Sequence, residues 1–120
     1  MKNTCYFLST CNTCKRIMKT LNITDEHWVL KDLKHQAISE EDLEAAFQQT
    51  ASYEALFNKR ARKYISQGLN KKLLSEEEFK SLILSEYTFL KRPVIFYNGA
   101  VFIGNSKAEV ERLKQALKNE

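Results

Sequence analysis

The sequence is poor in the residues that mark several common classes of protein. Its 120 residues include three cysteines, one proline and three glycines. Three cysteines do not form a disulfide-stapled scaffold, and a chain of this length can bury a core without staples. There is no repeat, low-complexity tract or flexible linker. We therefore expect a single domain over residues 1–120.

Long apolar runs and a secretion leader are also lacking. No apolar run approaches the length of a transmembrane helix, and the first residues lack a charged leader, an apolar core and a cleavage site. These absences predict a cytoplasmic protein with no membrane partner. The net charge of +4 comes from 19 Lys and Arg against 15 Asp and Glu. The charges are interspersed along predicted helices, which indicates a solvated surface and gives no support for direct nucleic-acid binding.

What the chain does contain is a Cys-x-x-Cys motif between a β-prone run and an amphipathic stretch. The run Thr4–Leu8 predicts a strand, so Cys11 lies at the following turn and Cys14 about one turn into a helix. Unpaired N–H groups of the first turn and the helix dipole favour a thiolate there. Lys15 and Arg16 add positive charge. Cys11 is therefore the candidate nucleophile, and Cys14 is the candidate resolving thiol.

The alternative for a Cys-x-x-Cys motif is half of a zinc site. Zinc needs two more ligands, and the rest of the chain offers only Cys5, His27 and His35, without zinc-site spacing. Cys5 lies within the apolar run, where a small core residue is expected. The sequence therefore favours redox chemistry and predicts no metal.

The elements that follow predict a βαβ unit and then a helical segment. His27–Leu33 reads as a second strand, parallel to the first and reached by a right-handed crossover. From Ser39 to about Leu90 the periodicity is helical, with capping-box patterns beginning at Ser39 and Ser75. Gly68 is a predicted helix C-cap. Residues 37–91 are therefore expected to form a helical insertion after a βαβ unit over residues 1–36.

The last part of the chain predicts a hairpin and a helix. Val94–Tyr97 and Ala100–Ile103 are β-prone and are joined by Asn98-Gly99, the strongest short hairpin signal. A capping-box pattern at Ser106 opens a final helix. Residues 92–120 are thus expected to form ββα. The complete order predicts an α/β protein with a four-stranded mixed sheet, as in the thioredoxin or glutaredoxin fold.

The only proline, Pro93, stands at the start of the hairpin. Base rates favour a trans proline at the beginning of a strand, since about 5–6% of X-Pro bonds in folded proteins are cis. The other interpretation is a cis proline facing Cys11, with Arg92 turned toward the thiol. A guanidinium at that position can hold an oxyanion or a carboxylate bidentately.

These features together resemble the arsenate reductase (ArsC) family, which also includes the Spx transcriptional regulators. The resemblance rests on Cys11, the segment 58–69, the Arg92-Pro93 pair with its hairpin and the short length, and it covers essentially the whole chain. It implies a thioredoxin-like fold with a helical insertion and a cis Arg92-Pro93 bond. In glutaredoxin-linked members a cysteine attacks arsenate, glutathione joins the adduct and three arginines hold the oxyanion. The resemblance places the nucleophile at Cys11 and one arginine at Arg92.

Two of the three family arginines are replaced in this sequence. The arginine of the insertion falls on Asn58, and the arginine after the hairpin falls near Gly104. Arg60 or Arg62 is the candidate substitute. Cys14 is a further departure, because the glutaredoxin-linked reductases lack a cysteine at this spacing, whereas Spx proteins use a Cys-x-x-Cys as a redox switch.

The first expectation is a cytosolic thiol–disulfide oxidoreductase with no tightly bound cofactor. Glutathione would be a co-substrate, and glutaredoxin or thioredoxin the electron donor. The candidate substrate- or anion-binding residues are Thr10, Asn12, Thr13, Lys15, Arg60 and Pro93. The alternative is an Spx-like regulator that binds RNA polymerase, with Cys11 and Cys14 as its switch, so enzyme and regulator both stay open. A third interpretation is a protein with inert thiols.

Overall fold

The computed structural model describes residues 3–119, which divide into two compact units. One unit contains the described residues up to Gln36 and from Arg92 onward, and the other contains Ala37–Lys91. The division falls between the segments that the sequence distinguishes. Positions 1, 2 and 120 of the predicted domain lie outside the described residues, and the single domain stays a prediction.

The first unit is built on a four-stranded sheet. Its strands are β1 (Thr4–Phe7), β2 (Val29–Asp32), β3 (Val94–Tyr97) and β4 (Ala100–Ile103). They lie in the order β2-β1-β3-β4. β1 pairs parallel with β2 and antiparallel with β3, which pairs antiparallel with β4. The predicted α/β class with a mixed four-stranded sheet is therefore confirmed.

Helix α1 (Asn12–Thr20) connects β1 to β2. Its residues Cys14, Ile17 and Met18 are buried and recur at helical spacing, which places them on one face. Lys15 and Arg16, by contrast, are exposed. The helix therefore packs through one apolar stripe, and its N-terminus follows the end of β1.

Strand β2 is shorter than the predicted His27–Leu33. Trp28 N–H donates to the Thr24 carbonyl at 3.1 Å, so the residues before Val29 belong to a turn. Leu33 already lies in the next turn, although its N–H still donates to the Phe7 carbonyl of β1 at 2.7 Å. The β-prone segment 27–33 is therefore longer than the segment that pairs with β1.

The hairpin forms where the sequence predicts it. Tyr97 and Ala100 face each other across the two turn residues, Asn98 and Gly99. Their φ angles are +49° and +83°, as a type I′ turn requires at both central positions. The conformational freedom of glycine is needed at Gly99 for this reason.

Helix α5 (Lys107–Lys118) completes the first unit. It shares a core with β1, α1, β3 and β4, formed by Cys5, Met18, Ile23, Ile95, Tyr97, Phe102 and Leu113. Because Met18 and Leu113 join the same cluster, α1 and α5 cover one face of the sheet. Burial of each large apolar side chain stabilises the fold by about 1.5–3 kcal/mol.

The second unit is helical, as predicted. It contains α2 (Glu40–Thr50), α3 (Arg62–Ser66) and α4 (Glu76–Ser85). Three 3₁₀ turns occupy Glu54–Leu56, Leu69–Lys71 and Tyr87–Phe89. The Ser75 hydroxyl and the Glu78 carboxylate complete the predicted capping box of α4, and Gly68, with φ +71°, follows α3 directly after its C-cap.

Helix α5 has 12 residues, and within residues 3–119 no helix is both long enough and apolar enough to cross a membrane.

Candidate thiol site

The strand–turn–helix segment at the start of the first unit positions Cys11. Cys11 N–H donates to the Leu8 carbonyl at 2.9 Å, which closes a turn directly after β1. Cys11 then becomes the N-cap of α1, with φ −98° and ψ 108°, and its carbonyl accepts from Lys15 N–H at 3.2 Å. The sulfur therefore stands at the positive end of the helix, next to amides that have no intrahelical partner.

The two thiols of the motif differ in exposure. Cys11 is partly exposed, whereas Cys14 is fully buried on the apolar face of α1, and neither is in a disulfide. A reagent from solvent therefore meets the Cys11 sulfur first. Cys14 lies in the first turn of the same helix, which places it near Cys11 but away from solvent.

The surroundings of Cys11 favour its thiolate. Partial burial would raise the pKa of this thiol, but Cys14, through its backbone N–H and its own thiol, and the Arg92 guanidinium together lower it below the ordinary value. Arg92 acts both as a hydrogen-bond donor and as a positive charge. The N–H of Cys14 stabilises negative charge on the Cys11 sulfur, although the uncharged Cys11 side chain makes no capping hydrogen bond. A lowered pKa increases the fraction of thiolate, which is the nucleophilic form of a cysteine.

The other two thiols are shifted in the opposite direction. Burial raises the pKa of Cys14 to about 12, and a negative charge on Cys11 would add to this effect. Burial also raises the pKa of Cys5, in the middle of the sheet, to about 12. The site therefore contains one activated thiol and one protonated thiol beside it, while Cys5 is a core residue, as the sequence predicts.

The Arg92-Pro93 pair belongs to the same unit as the two thiols. The peptide bond between these residues is cis, as the family resemblance implies. Pro93 is buried, and its carbonyl accepts from Gly104 N–H at 2.8 Å, which ties the start of β3 to the end of β4. Arg92 reaches Cys11, so the structure brings Cys11, Cys14 and Arg92 together.

The remaining predicted residues are distributed over both units. Thr10, Asn12 and Lys15 are exposed around Cys11, and Thr13 is half-buried in the first turn of α1. Arg60 is exposed in the turn before α3 of the second unit, so its role at the site stays a prediction.

The two positions without family arginines have structural roles here. The Asn58 side chain donates to the Thr88 carbonyl at 3.2 Å and accepts from Arg60 N–H at 3.1 Å, so it fixes a turn. Gly104 has φ +85°, a backbone conformation that residues with a side chain rarely adopt. Among the nearby cations, Lys59 pairs with Glu54 and Lys63 with Glu86.

The sequence-based interpretation missed Asp32. This residue ends β2, and its Oδ1 accepts from Ser9 N–H at 3.1 Å and from Lys34 N–H at 3.1 Å. The bond to Lys34 is an Asx turn, which an aspartate at the end of a strand signals. The bond to Ser9, two residues before Cys11, spans 23 positions and has no local signal.

Within residues 3–119, no three His, Cys, Asp or Glu side chains form a group that could hold a metal ion.

Comparisons with known proteins address the whole chain. The model of the ArsC family matches residues 6–113. An ArsC family related protein from Bacteroides fragilis has the same fold, with 24% identity and a TM-score of 0.77 over 94% of this chain and 99% of its own. An arsenate reductase from Vibrio cholerae aligns with 16% identity and a TM-score of 0.74, over 95% and 97% of the two chains. An arsenate reductase (ArsC) related protein from Brucella melitensis aligns with 23% identity and a TM-score of 0.64, over 93% of each chain.

A search of curated proteins finds no significant match. The similar structures confirm the predicted thioredoxin-like fold, and together with the family match they support a thiol redox protein.

Proposed function

This chain belongs to the ArsC family, and within that family we propose that it is a thiol–disulfide oxidoreductase with Cys11 as its nucleophile. The observation that carries the proposal is the contrast between two neighbouring thiols. Cys11 is partly exposed and has a lowered pKa beside Arg92, whereas Cys14 is buried with a pKa of about 12. An attacking thiol and a resolving thiol need this difference.

The proposed reaction has two steps. The Cys11 thiolate attacks one sulfur of a disulfide R–S–S–R′, forms Cys11–S–S–R and releases R′–S⁻, which takes a proton from solvent. Cys14 then gives its proton to solvent and attacks the Cys11 sulfur, which forms the Cys11–Cys14 disulfide and releases R–S⁻, and this thiolate takes a proton from solvent. The substrate gains two electrons and the protein loses two, and glutathione with glutaredoxin, or thioredoxin, restores the dithiol.

Arg92 is the proposed anion-orienting group in this reaction. Its guanidinium stabilises the Cys11 thiolate before the attack and can hold a carboxylate or an oxyanion of the incoming substrate. Thr10, Asn12 and Thr13 would add loop amides and hydroxyls, and Lys15 a positive charge. Pro93 would shape the pocket beside Arg92. We propose a cytoplasmic setting, because reducing conditions keep both thiols available.

Arsenate is a less well supported substrate within this proposal. A dianion is best held by several charge-assisted donors, and two of the three family positions carry Asn58 and Gly104. Asn58 instead forms a hydrogen bond with the backbone, and Gly104 provides a positive φ angle. Exposed Arg60 or Arg62 would have to replace the missing guanidinium groups, so disulfide chemistry is better supported than arsenate reduction.

The test is NADPH-coupled turnover with glutathione, glutaredoxin and glutathione reductase, with a small disulfide or arsenate as substrate. Cys11→Ser is expected to abolish turnover, and Cys14→Ser to slow it or make it depend on external thiol. Cys5→Ala is the matched control, because it removes a buried thiol outside the motif. Turnover that survives in Cys11→Ser would overturn the proposal, and arsenate-dependent turnover would show that the arginines have been replaced.

The second candidate is an Spx-like regulator that binds RNA polymerase. The observation that favours it is the pair of thiols in the first turn of α1, which suits a disulfide switch. Binding of purified RNA polymerase to the reduced protein and to the oxidised protein separates the two functions. A difference that Cys14→Ser removes supports the regulator, and equal absence of binding in both states argues against it.

A further inference from the structure

Asp32 connects the end of one strand to the loop that carries the nucleophile. Its Oδ1 accepts from Ser9 N–H at 3.1 Å, and Ser9 lies in the turn that Leu8 and Cys11 close. We infer that Asp32 is a positioning residue that holds this turn, and through it the Cys11 sulfur, in the geometry that favours the thiolate. The inference rests on the proposed function, in which Cys11 is the attacking group.

The turn needs such an anchor because a single backbone hydrogen bond closes it. Cys11 N–H closes the turn onto the Leu8 carbonyl, but Ser9 N–H has no partner within the turn. Asp32 lies opposite Phe7 in the register of β1 and β2, so its side chain is directly beside the exit of the chain from β1. One carboxylate oxygen therefore fixes the second residue of the turn to the sheet.

The anchor is itself held in place. Asp32 Oδ1 also accepts from Lys34 N–H at 3.1 Å, and Leu33 N–H donates to the Phe7 carbonyl at 2.7 Å. The other oxygen, Oδ2, faces His35 Nε2 at 3.9 Å, so the oxygen that binds the turn is not the one facing the histidine. The side chain of Asp32 is 18% exposed. Burial would raise the pKa of its carboxyl, but hydrogen bonds from Ser9 and Lys34 lower it below the usual value.

The consequence for Cys11 is geometric. The thiolate depends on donors from Cys14 and Arg92, and the directions of these donors are fixed by α1 and by the start of β3. If the turn moves, the sulfur moves relative to both donors, and hydrogen bonds weaken steeply with distance and angle. Loss of the anchor is therefore expected to return Cys11 toward the pKa of a free thiol.

The experiment compares substitutions at Asp32 by the pH dependence of Cys11 alkylation. Iodoacetamide labelling of Cys11 is measured by peptide mass spectrometry between pH 5 and pH 10 in the parent, Asp32→Ala, Asp32→Glu and Asp32→Asn. Asparagine keeps an oxygen acceptor at the same distance, alanine removes it and glutamate displaces it. Exposed Asp25→Ala, in the turn before β2, is the matched control for a lost carboxylate.

We expect Asp32→Ala and Asp32→Glu to raise the apparent pKa of Cys11 by at least about half a unit, which slows labelling about threefold at pH values below the pKa of the parent. Asp32→Asn and Asp25→Ala should match the parent. If Asp32→Ala does not fold, as circular dichroism would show, the Glu and Asn variants still decide the question. Parent-like profiles in folded Ala and Glu variants, even with lowered melting temperatures, would reduce Asp32 to a turn-stabilising residue and overturn the inference.

The parent profile separates this result from the proposed function. A parent Cys11 that reacts no faster than a free cysteine at neutral pH contradicts the activated nucleophile itself. If Cys11 is alkylated fast in the parent and equally fast in the Asp32 variants, only the role of Asp32 is contradicted.

Discussion

At the scale of single residues, Arg92 has the most specific assigned effect. It contributes a hydrogen bond and a positive charge to the Cys11 thiolate, whereas Lys15 and Arg16 are exposed on α1. A cationic donor next to a thiol stabilises its charged form and so lowers its pKa.

We predict that Arg92→Gln raises the apparent pKa of Cys11 and slows its alkylation at pH 7. Arg92→Lys should retain part of the effect because it keeps the charge without the planar fork of donors. Arg16→Gln, which removes an exposed charge from the same helix, is the control and should change the profile less. A larger shift in Arg16→Gln than in Arg92→Gln would show that general charge around α1 matters more than the specific contact.

In the proposed reaction, Cys14 sets the pH dependence of the second step. Its pKa of about 12 results mainly from burial, and we expect this burial to persist after Cys11 has formed a mixed disulfide. Closure of the Cys11–Cys14 disulfide should therefore accelerate about tenfold per pH unit between pH 7 and pH 9, since the reactive thiolate increases by that factor.

This closure can be followed by release of thionitrobenzoate from a Cys11 mixed disulfide. In Cys14→Ser the mixed disulfide should persist. A rate that levels off near pH 8 would mean that the pKa of Cys14 in the adduct is close to that of an ordinary thiol.

At the scale of elements, local patterns explain much of the structure. The hairpin and the final helix begin where Asn98-Gly99 and Ser106 predict them, because turn conformation and N-capping depend on residues within a few positions. Even so, the capping box at Ser106 is incomplete. The Ser106 hydroxyl accepts from Glu109 N–H at 3.1 Å, but the Glu109 carboxylate binds Ile103 N–H and Arg112. The Glu109 carboxylate therefore binds the last residue of β4 and a side chain of its own helix instead of the Ser106 N–H.

The hairpin turn yields a prediction about backbone strain alone. A Cβ at Gly99 would meet no atom within 4 Å, so Gly99→Ala introduces no clash, but it places a side chain at φ +83°. We expect this change to lower the free energy of unfolding by about 1–2 kcal/mol, measured by urea denaturation. Asn98→Gly, at φ +49°, is the control and should cost far less. Equal costs for the two variants would point to side-chain contacts of Asn98 rather than to φ.

At the scale of the whole molecule, the Glu109–Arg112 pair links the final helix to the last strand. The Arg112 guanidinium donates to both oxygens of Glu109 at 2.9 and 3.0 Å, and to the Val101 carbonyl at 2.8 Å. Its guanidinium carbon also lies 4.1 Å from the centroid of the Phe102 ring. The hydrogen bond from Arg112, and then that from Ile103 N–H, hold the pKa of Glu109 below its usual value despite partial burial.

This pair makes stability depend on pH in a stated direction. Because the folded pKa of Glu109 is lowered, its ionised form stabilises the protein fully above the unfolded pKa of about 4.3, and this contribution is lost as pH falls through the folded pKa. Glu109→Gln should lower the free energy of unfolding by about 1 kcal/mol at pH 7. The difference from the parent should shrink below about pH 4.

Glu111→Gln is the matched control for this prediction. It removes the same charge from the same helix, where the carboxylate accepts from Gln115 Nε2 at 2.9 Å. Its effect should be smaller. A Glu109→Gln deficit that stays constant down to pH 3 would show that the ionised pair is not its cause.

The sequence by itself determined the parts of this protein that depend on near neighbours along the chain. These include the Cys-x-x-Cys between a strand and a helix, the position of Cys11 at the helix start, the hairpin at Asn98-Gly99 and the helical character of residues 37–91. Hydrophobic periodicity, capping and turn chemistry act over a few residues, so their signals can be read locally. Strand β2 is shorter than the sequence predicts, because hydrogen bonding between strands, and not β-propensity, decides where a strand ends.

Only the tertiary structure decided what depends on residues distant in sequence. Arg92 comes to Cys11 across 81 positions (92 minus 11), and Asp32 reaches Ser9 across 23. The depth of Cys14, and with it the pKa of about 12, follows from packing of α1 against the sheet. Electrostatics and burial depend on distances in space, and no local pattern encodes them.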